Sequence, residues 1–199
     1  NFSHGDLMAA GAYLALFMVS SVLAWLGVPD TVFSPLSFGW RTLIAFPVAM
    51  AAVAAAAILL DRLIYRKLRR KKSNAAIMAM ASLGAAFILR MIILILWGAD
   101  SLFYRPGVLR PALVLPLGVK IRPDQVFIFL AALGLIGSLH LFMKKTKMGK
   151  AMRATADNME LARVSGINTE RIIVWTWGIG AALAAAGGIL YGIDVQLHP

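Results

Sequence analysis

No cysteine occurs among the 199 residues, so neither a disulfide nor a thiolate-bound metal can take part in the chemistry of this chain. Charge is scarce too: Asp, Glu, Lys and Arg make up 15% of the sequence, against about 25% in an ordinary soluble domain. Histidines and carboxylates nowhere fall at metal-ligand spacing, and no nucleophile stands beside a base. A Gly-x-x-x-x-Gly-Lys-Ser/Thr loop is also missing, so the chain does not hydrolyse ATP itself by that device. These absences give the expectation of a non-enzyme with no catalytic and no metal-binding residues.

What the chain has is apolar length. It is 60% hydrophobic, and a soluble fold of this size would have nowhere to hide the excess. Five apolar runs stand out: Leu7–Val28, Trp40–Leu60, Ala75–Trp97, Val126–Met143 and Ile172–Ile193. At 1.5 Å per residue, about 20 residues cover roughly 30 Å, the thickness of the hydrocarbon layer. Backbone groups in lipid must be satisfied within the segment, so each run is expected to be a helix, and the fold class is an all-α polytopic bundle. Pro47 predicts a kink in the second run. No charged segment with a cleavage site precedes Leu7–Val28, which therefore reads as a span and not a signal peptide. The start at Asn1 and the stop at Leu197–Pro199 give the expectation of a fragment lacking both ends of a longer protein.

The net charge of +11 is concentrated in two stretches between the runs. Residues 61–74 (DRLIYRKLRRKKSN) carry seven Lys and Arg, and residues 144–171 carry seven more. The alternate connections hold one (Arg41) and four (Arg105, Arg110, Lys120, Arg122). The positive-inside rule then expects the two rich stretches in the cytoplasm. Trp25, Trp40 and Trp97 fall at the opposite ends of their runs, with Tyr65 near an inner end, as an interfacial aromatic belt requires. Topology also accounts for Arg66–Lys72, a short run close to the membrane, without any nucleic acid. Residues 98–125 contain Pro106, Pro111, Pro116 and Pro123, which rule out a long helix; ALVLPLGVKI reads as short extended pieces around a turn. An external cap touching another protein and a plain connector both remain open there.

Residues 144–171 are too long for a simple connection and too polar to span. Met148–Ala156 has good helix formers. Asp157 offers an N-cap with Glu160 three places on, and the second helix, NMELARVS, is expected to stop at Gly166. Asn168 or Thr169 can cap the last span. Such a helix-turn-helix suits docking into a groove of a soluble partner; an amphipathic element lying on anionic headgroups through Lys144, Lys145, Lys147 and Lys150 is the alternative.

Three further features bear on function. Gly178, Gly180, Ala184, Gly188 and Gly192 place small residues along the fifth run, a face for close helix packing in lipid. Arg90 lies within the third run; it can snorkel, pair with another residue, or line a path where a cation meets a substrate carboxylate. His4 stands beside Asn1 and Asp6 at the start of a span, where these groups can bind an amino-acid headgroup or tie the helix end together. His140 reads as interfacial.

At GKAMRATADNMELARVSGINTERIIVW the chain resembles the coupling segment of branched-chain amino-acid ABC importer permeases. NFSHGDLMAAGAY, LILWGAD and WGIGAALAAAGGILYG resemble the same family, in the same order along nearly the whole chain. The resemblance implies a permease subunit in a bacterial or archaeal plasma (inner) membrane, moving branched-chain or other amino acids inward. Its implied partners are two ABC ATPase subunits, a second permease that is homologous or identical, and an external substrate-binding protein, besides the lipid bilayer. It implies no cofactor on this chain, with ATP held by the partner subunits. The ATPase-contacting segment carries over to Gly149, Ala156, Glu160, Ala162, Gly166, Ile167 and Asn168. The Asn-Phe-x-His-Gly motif carries over to Asn1, Phe2, His4 and Gly5, which with Arg90 form a candidate substrate path. Permeases for urea or short amides share these motifs, and a channel or non-transporting scaffold is the rival of another class.

Overall fold

Five helices long and apolar enough to cross a bilayer dominate the computed structural model, which describes residues 3–100, 102–104, 113–114, 120–195 and 197. They are α1 (His4–Trp25), α2 (Trp40–Arg70), α3 (Ala75–Trp97), α4 (Pro123–Lys145) and α7 (Thr169–Asp194). Two short helices, α5 (Lys147–Asp157) and α6 (Met159–Val164), join α4 to α7. The chain is an all-α bundle, as expected. Among the described residues the other regular element is an antiparallel pair, β1 (Leu113–Val114) with β2 (Lys120–Ile121), in the register Leu113 to Ile121 and Val114 to Lys120. The expected extended pieces therefore occur there; Arg105, Pro106, Arg110, Pro111 and Pro116 lie outside the described residues.

The helix ends differ from the hydropathy runs where side-chain chemistry intervenes. α1 starts at His4, three residues before the first apolar run, and α4 starts at Pro123, where the missing N–H of proline costs nothing. Asn74 accepts from the Ile77 N–H at 3.0 Å and fixes the start of α3. The largest difference is in α2, which contains Pro47 as expected but runs on past Leu60 to Arg70. The basic stretch after Leu60 is thus mostly helix and not loop: Arg, Lys and Leu favour helix, and Asp61 receives Arg69 through both carboxylate oxygens at 2.6 and 3.1 Å. Two π-helical stretches, Met18–Val22 and Asp61–Tyr65, interrupt α1 and α2.

The core is built from small residues. Leu7 lies with Val53, Ala57, Ala181 and Ala185, whereas Ala15 and Val19 lie with Ala45, Ala49 and Ile189. Rising numbers along α1 and α7 meet falling numbers along α2, so α1 and α7 run together and α2 runs against both. α3 flanks α1 through Tyr13, Leu16 and Ile93, with Trp97 against Tyr13 at a ring separation of 5.5 Å. Lipid supplies no hydrophobic drive between helices, so close approach of backbones has to supply the contact instead. Ala15, Ala57, Ala185 and Ala186, all fully buried, give that approach.

Ion pairs and hydrogen bonds sort the connections to two ends. At the basic end Arg66 Nε lies 3.0 Å from Glu170 Oε2, which brings both Lys/Arg-rich stretches together. At the opposite end the Ser37 N–H donates to Asp124 Oδ1 at 2.8 Å, Arg122 pairs with Asp194 at 2.6 Å, and Leu102 bridges to Leu197.

Candidate functional site

The segment α5–α6 is held by four local devices. Thr146 Oγ1 accepts from the Gly149 N–H at 3.0 Å and donates to the Phe142 carbonyl at 2.7 Å, which sets the turn out of α4. Gly149 is buried there, and a β-carbon on it would stand 2.5 Å from the Met143 Cα. Only glycine lets the two helices meet so closely. Asn158, not the expected Asp157, caps α6, its side-chain oxygen accepting from the Leu161 N–H at 2.9 Å. Asp157 instead completes α5, and the residue three places after Asn158 is Leu161, whose apolar side chain cannot return the bond, so the reciprocal pairing expected between Asp157 and Glu160 is not made.

The stop is a Schellman motif. Gly166, at φ +84°, donates from its N–H to Arg163 O, and the Ile167 N–H donates to Ala162 O, both at 3.0 Å. Asn168 then caps α7 by accepting from the Arg171 N–H at 3.0 Å. Of the seven residues carried over by resemblance, Gly149 and Ala162 are buried. Ile167 is half-buried, and Ala156, Glu160, Gly166 and Asn168 are exposed. Beside them Met159, Leu161 and Val164 are exposed apolar side chains, Val164 at 85%. The motif reading passed over these three. Their signal was present in the sequence as apolar residues in a helix too short to bury them.

The second region is the start of α1. Its first residues do not lie level with the start of α7: His4 and Leu7 share a cavity of about 190 Å³ with Thr176, Trp177, Gly180 and Ala181. Thr176 and Gly180 lie seven and eleven residues into α7, so α1 begins roughly 10–16 Å beyond that helix's own start. His4 and Gly5 are exposed, whereas Asp6 is buried. Arg90 Nε donates to Asp6 Oδ1 at 3.2 Å, tying α3 to the first turn of α1. The Arg90 charge is therefore paired, while its side chain keeps 55% of its surface exposed. Asn1 and Phe2 lie outside the described residues.

The small residues of α7 divide by role. Gly188 packs on the Met8 backbone and Gly192 on Tyr104 and Leu197; Ala184 is buried, and Gly178 sits 3.3 Å from Ile58 Cδ1 by its would-be β-carbon. Gly180 has open space and lines the cavity. Gly11 on α1, not anticipated from sequence, meets the Ala185 Cα at 2.5 Å in the same sense. Above this crossing the Tyr104 hydroxyl donates to the Ala12 carbonyl at 2.7 Å. Burial pushes the phenol above its ordinary pKa and keeps it a neutral donor.

Among the described residues no group of three His, Asp or Glu could hold a metal ion. The arrangement offers instead a folded helical pair with exposed apolar side chains at the basic end and a polar helix start within the bundle.

Comparison with known proteins bears on both regions. A family model described as the permease component of the branched-chain amino acid transport system matches residues 1–199. The high-affinity branched-chain amino acid transport system permease protein LivH of Escherichia coli K12 is 30% identical over 96% of this chain and 60% of its own length. BraD of Pseudomonas aeruginosa, which carries the same description, is 31% identical over 98% of this chain and 61% of its own. The autoinducer 2 import system permease protein LsrC of Yersinia enterocolitica is 30% identical over 60% of this chain and 32% of its own length. The chain thus spans about 60% of the length of the LivH and BraD proteins it matches. No solved structure matches it.

Proposed function

The chain belongs to the branched-chain amino acid transport permease family, and on that footing we propose that it forms the membrane-embedded part of an ATP-driven importer. Its cargo in this reading is a branched-chain or other amino acid, carried into the cytoplasm. Two ABC ATPases dock at the basic end, a second permease stands alongside in the bilayer, and a binding protein delivers substrate at the opposite end. ATP is bound by the partner subunits. The membrane in question is the bacterial or archaeal inner membrane.

The observation that carries the proposal is the folded pair α5–α6, set between two span-length helices at the end where Lys and Arg concentrate. A merely interfacial element would turn its apolar side chains to lipid along one face. Here Met159, Leu161 and Val164 are exposed on the short helix that ends in a fixed stop, next to Ala156 and Glu160. ATP binding closes the partner subunits and displaces this pair; the Gly166 stop and the Asn168 cap pass the displacement into α7. At the other end of that path, the start of α1 contributes His4, Gly5 and the Asp6–Arg90 pair, with Asn1 and Phe2 preceding it. A helix N-terminus within the bundle presents unpaired N–H groups and a partial positive charge, which suits the carboxylate of an amino acid.

The test is Ala162→Leu in the full-length permease assembled with its ATPases. Ala162 is buried, so the larger side chain parts α6 from its neighbours. Membrane insertion is expected to persist while uptake falls at least about tenfold relative to ATP hydrolysis, the effect of roughly 1.4 kcal/mol of lost coupling. Unchanged uptake would remove the coupling assignment. A second reading keeps the architecture and changes the cargo to urea or a short amide; the likeness to LsrC, by its name an autoinducer 2 permease, over 60% of the chain goes with cargo varying among related permeases. Parallel uptake of leucine and urea separates these. A channel or scaffold would co-purify with no ATPase.

A further inference from the structure

Glu170 is the second residue of α7 and follows directly on the turn that closes the α5–α6 pair. Whatever moves that turn moves Glu170 first. Its Oε2 lies 3.0 Å from Arg66 Nε on the extension of α2, close enough for an ion pair but without hydrogen-bond alignment. One residue earlier, Tyr65 is buried and stacks on Trp177 of α7, with ring centroids 4.8 Å apart and an interplanar angle of 28°. Trp177 in turn lines the cavity at the start of α1. A continuous chain of contacts therefore runs from the end of the coupling segment, through Glu170 and Arg66, to the aromatic wall of that cavity.

The two ion pairs on this stretch of α2 differ in kind. Asp61 is fully buried and held by Arg69 through both oxygens, a fixed staple from the start of the π-helical stretch to the α-helical turn beyond it. Arg66 and Glu170 keep 39% and 41% of their side chains exposed, and a half-exposed pair lacking bidentate geometry adds little to stability. A contact that costs little to break is unsuited to holding a fold and well suited to being made and broken in each cycle.

We propose that Arg66 and Glu170 form a breakable latch through which displacement of the coupling segment reaches α2 as well as α7. Both are positioning residues, acting on the cavity through Tyr65 and Trp177. The inference rests on the importer reading above and names the second route by which that segment acts.

The experiment uses the full-length permease assembled with its ATPases and binding protein in vesicles, reading uptake per ATP hydrolysed. Arg66→Glu and Glu170→Arg are each expected to lower that ratio by about three- to fivefold with assembly intact, the scale on which half-exposed pairs act. The double reversal, Arg66→Glu with Glu170→Arg, restores it, a rescue that loss of fold would not give. In parallel, Arg66→Cys with Glu170→Cys exploits the absence of native cysteine in this stretch of the protein. Bridging the two thiols with a cross-linker cleavable by reductant is expected to stop uptake while ATP hydrolysis continues, and reduction restores it. Single reversals that leave the ratio unchanged, a double reversal that fails to restore it, or full uptake by the bridged protein would each overturn the latch. If the unaltered assembly shows no ATP-dependent uptake, the importer reading itself falls and the latch with it.

Discussion

α4 and α7 are both long enough to cross a bilayer, yet the more apolar of the two is the less enclosed. None of the most apolar window of α4 is buried within the molecule, whereas 39% of that of α7 is. In water the order would be reversed. Here the solvent is hydrocarbon, so Phe129, Leu130, Leu133 and Ile136 of α4 can face it at no cost. What draws α7 into the centre is its lack of side-chain bulk: Ala181, Ala185 and Gly188 let α1 and α2 approach closely. Between these two helices, apolar bulk goes with exposure and small size with enclosure.

Three substitutions bear on that comparison. Arg69→Ala is expected to have the largest effect, about 3–5 kcal/mol, because it leaves the carboxylate of Asp61 buried without its partner at the α2–α7 side of the bundle. Thermal unfolding of the purified permease in detergent would read it; a loss near zero would mean that Asp61 is hydrated and the packed side less closed than described. Gly188→Leu should come next, at about 1–3 kcal/mol or more, since any β-carbon there collides with the Met8 backbone. Gly134→Leu on α4 should be smallest, within about 0.5 kcal/mol, because its would-be β-carbon meets open space. Equal melting shifts for Gly188→Leu and Gly134→Leu would break the contrast between the two helices.

The same contrast explains what could be read beforehand. The five spans were legible because length and hydropathy suffice to find a segment whose solvent is lipid, and the stop at Gly166 was legible because a left-handed turn selects glycine. The small-residue face of α7 was visible, but its counterpart Gly11 on α1 was not, since packing partners 174 residues apart leave no local mark. For the same reason the sequence could raise Arg90 as a charge needing an explanation but could not supply Asp6, 84 residues away, as its partner. The cap at Asn158 was misplaced by one residue because Asp157 and Asn158 carry equivalent acceptors, and only the length of α5 decides between them. The extension of α2 to Arg70 was missed because a run of basic residues reads as a topology signal whether or not it is helical.

The account stands on the α5–α6 pair being an inward docking element. Ala156 is exposed on that pair and is well placed to carry a reporter. The direct measurement is thiol labelling of a full-length permease bearing Ala156→Cys as its sole cysteine, with a membrane-impermeant maleimide. The account predicts no labelling in intact cells, labelling once the membrane is opened, and protection when the ATPase subunits are bound. Labelling of intact cells, or equal labelling with and without the ATPases, would contradict it.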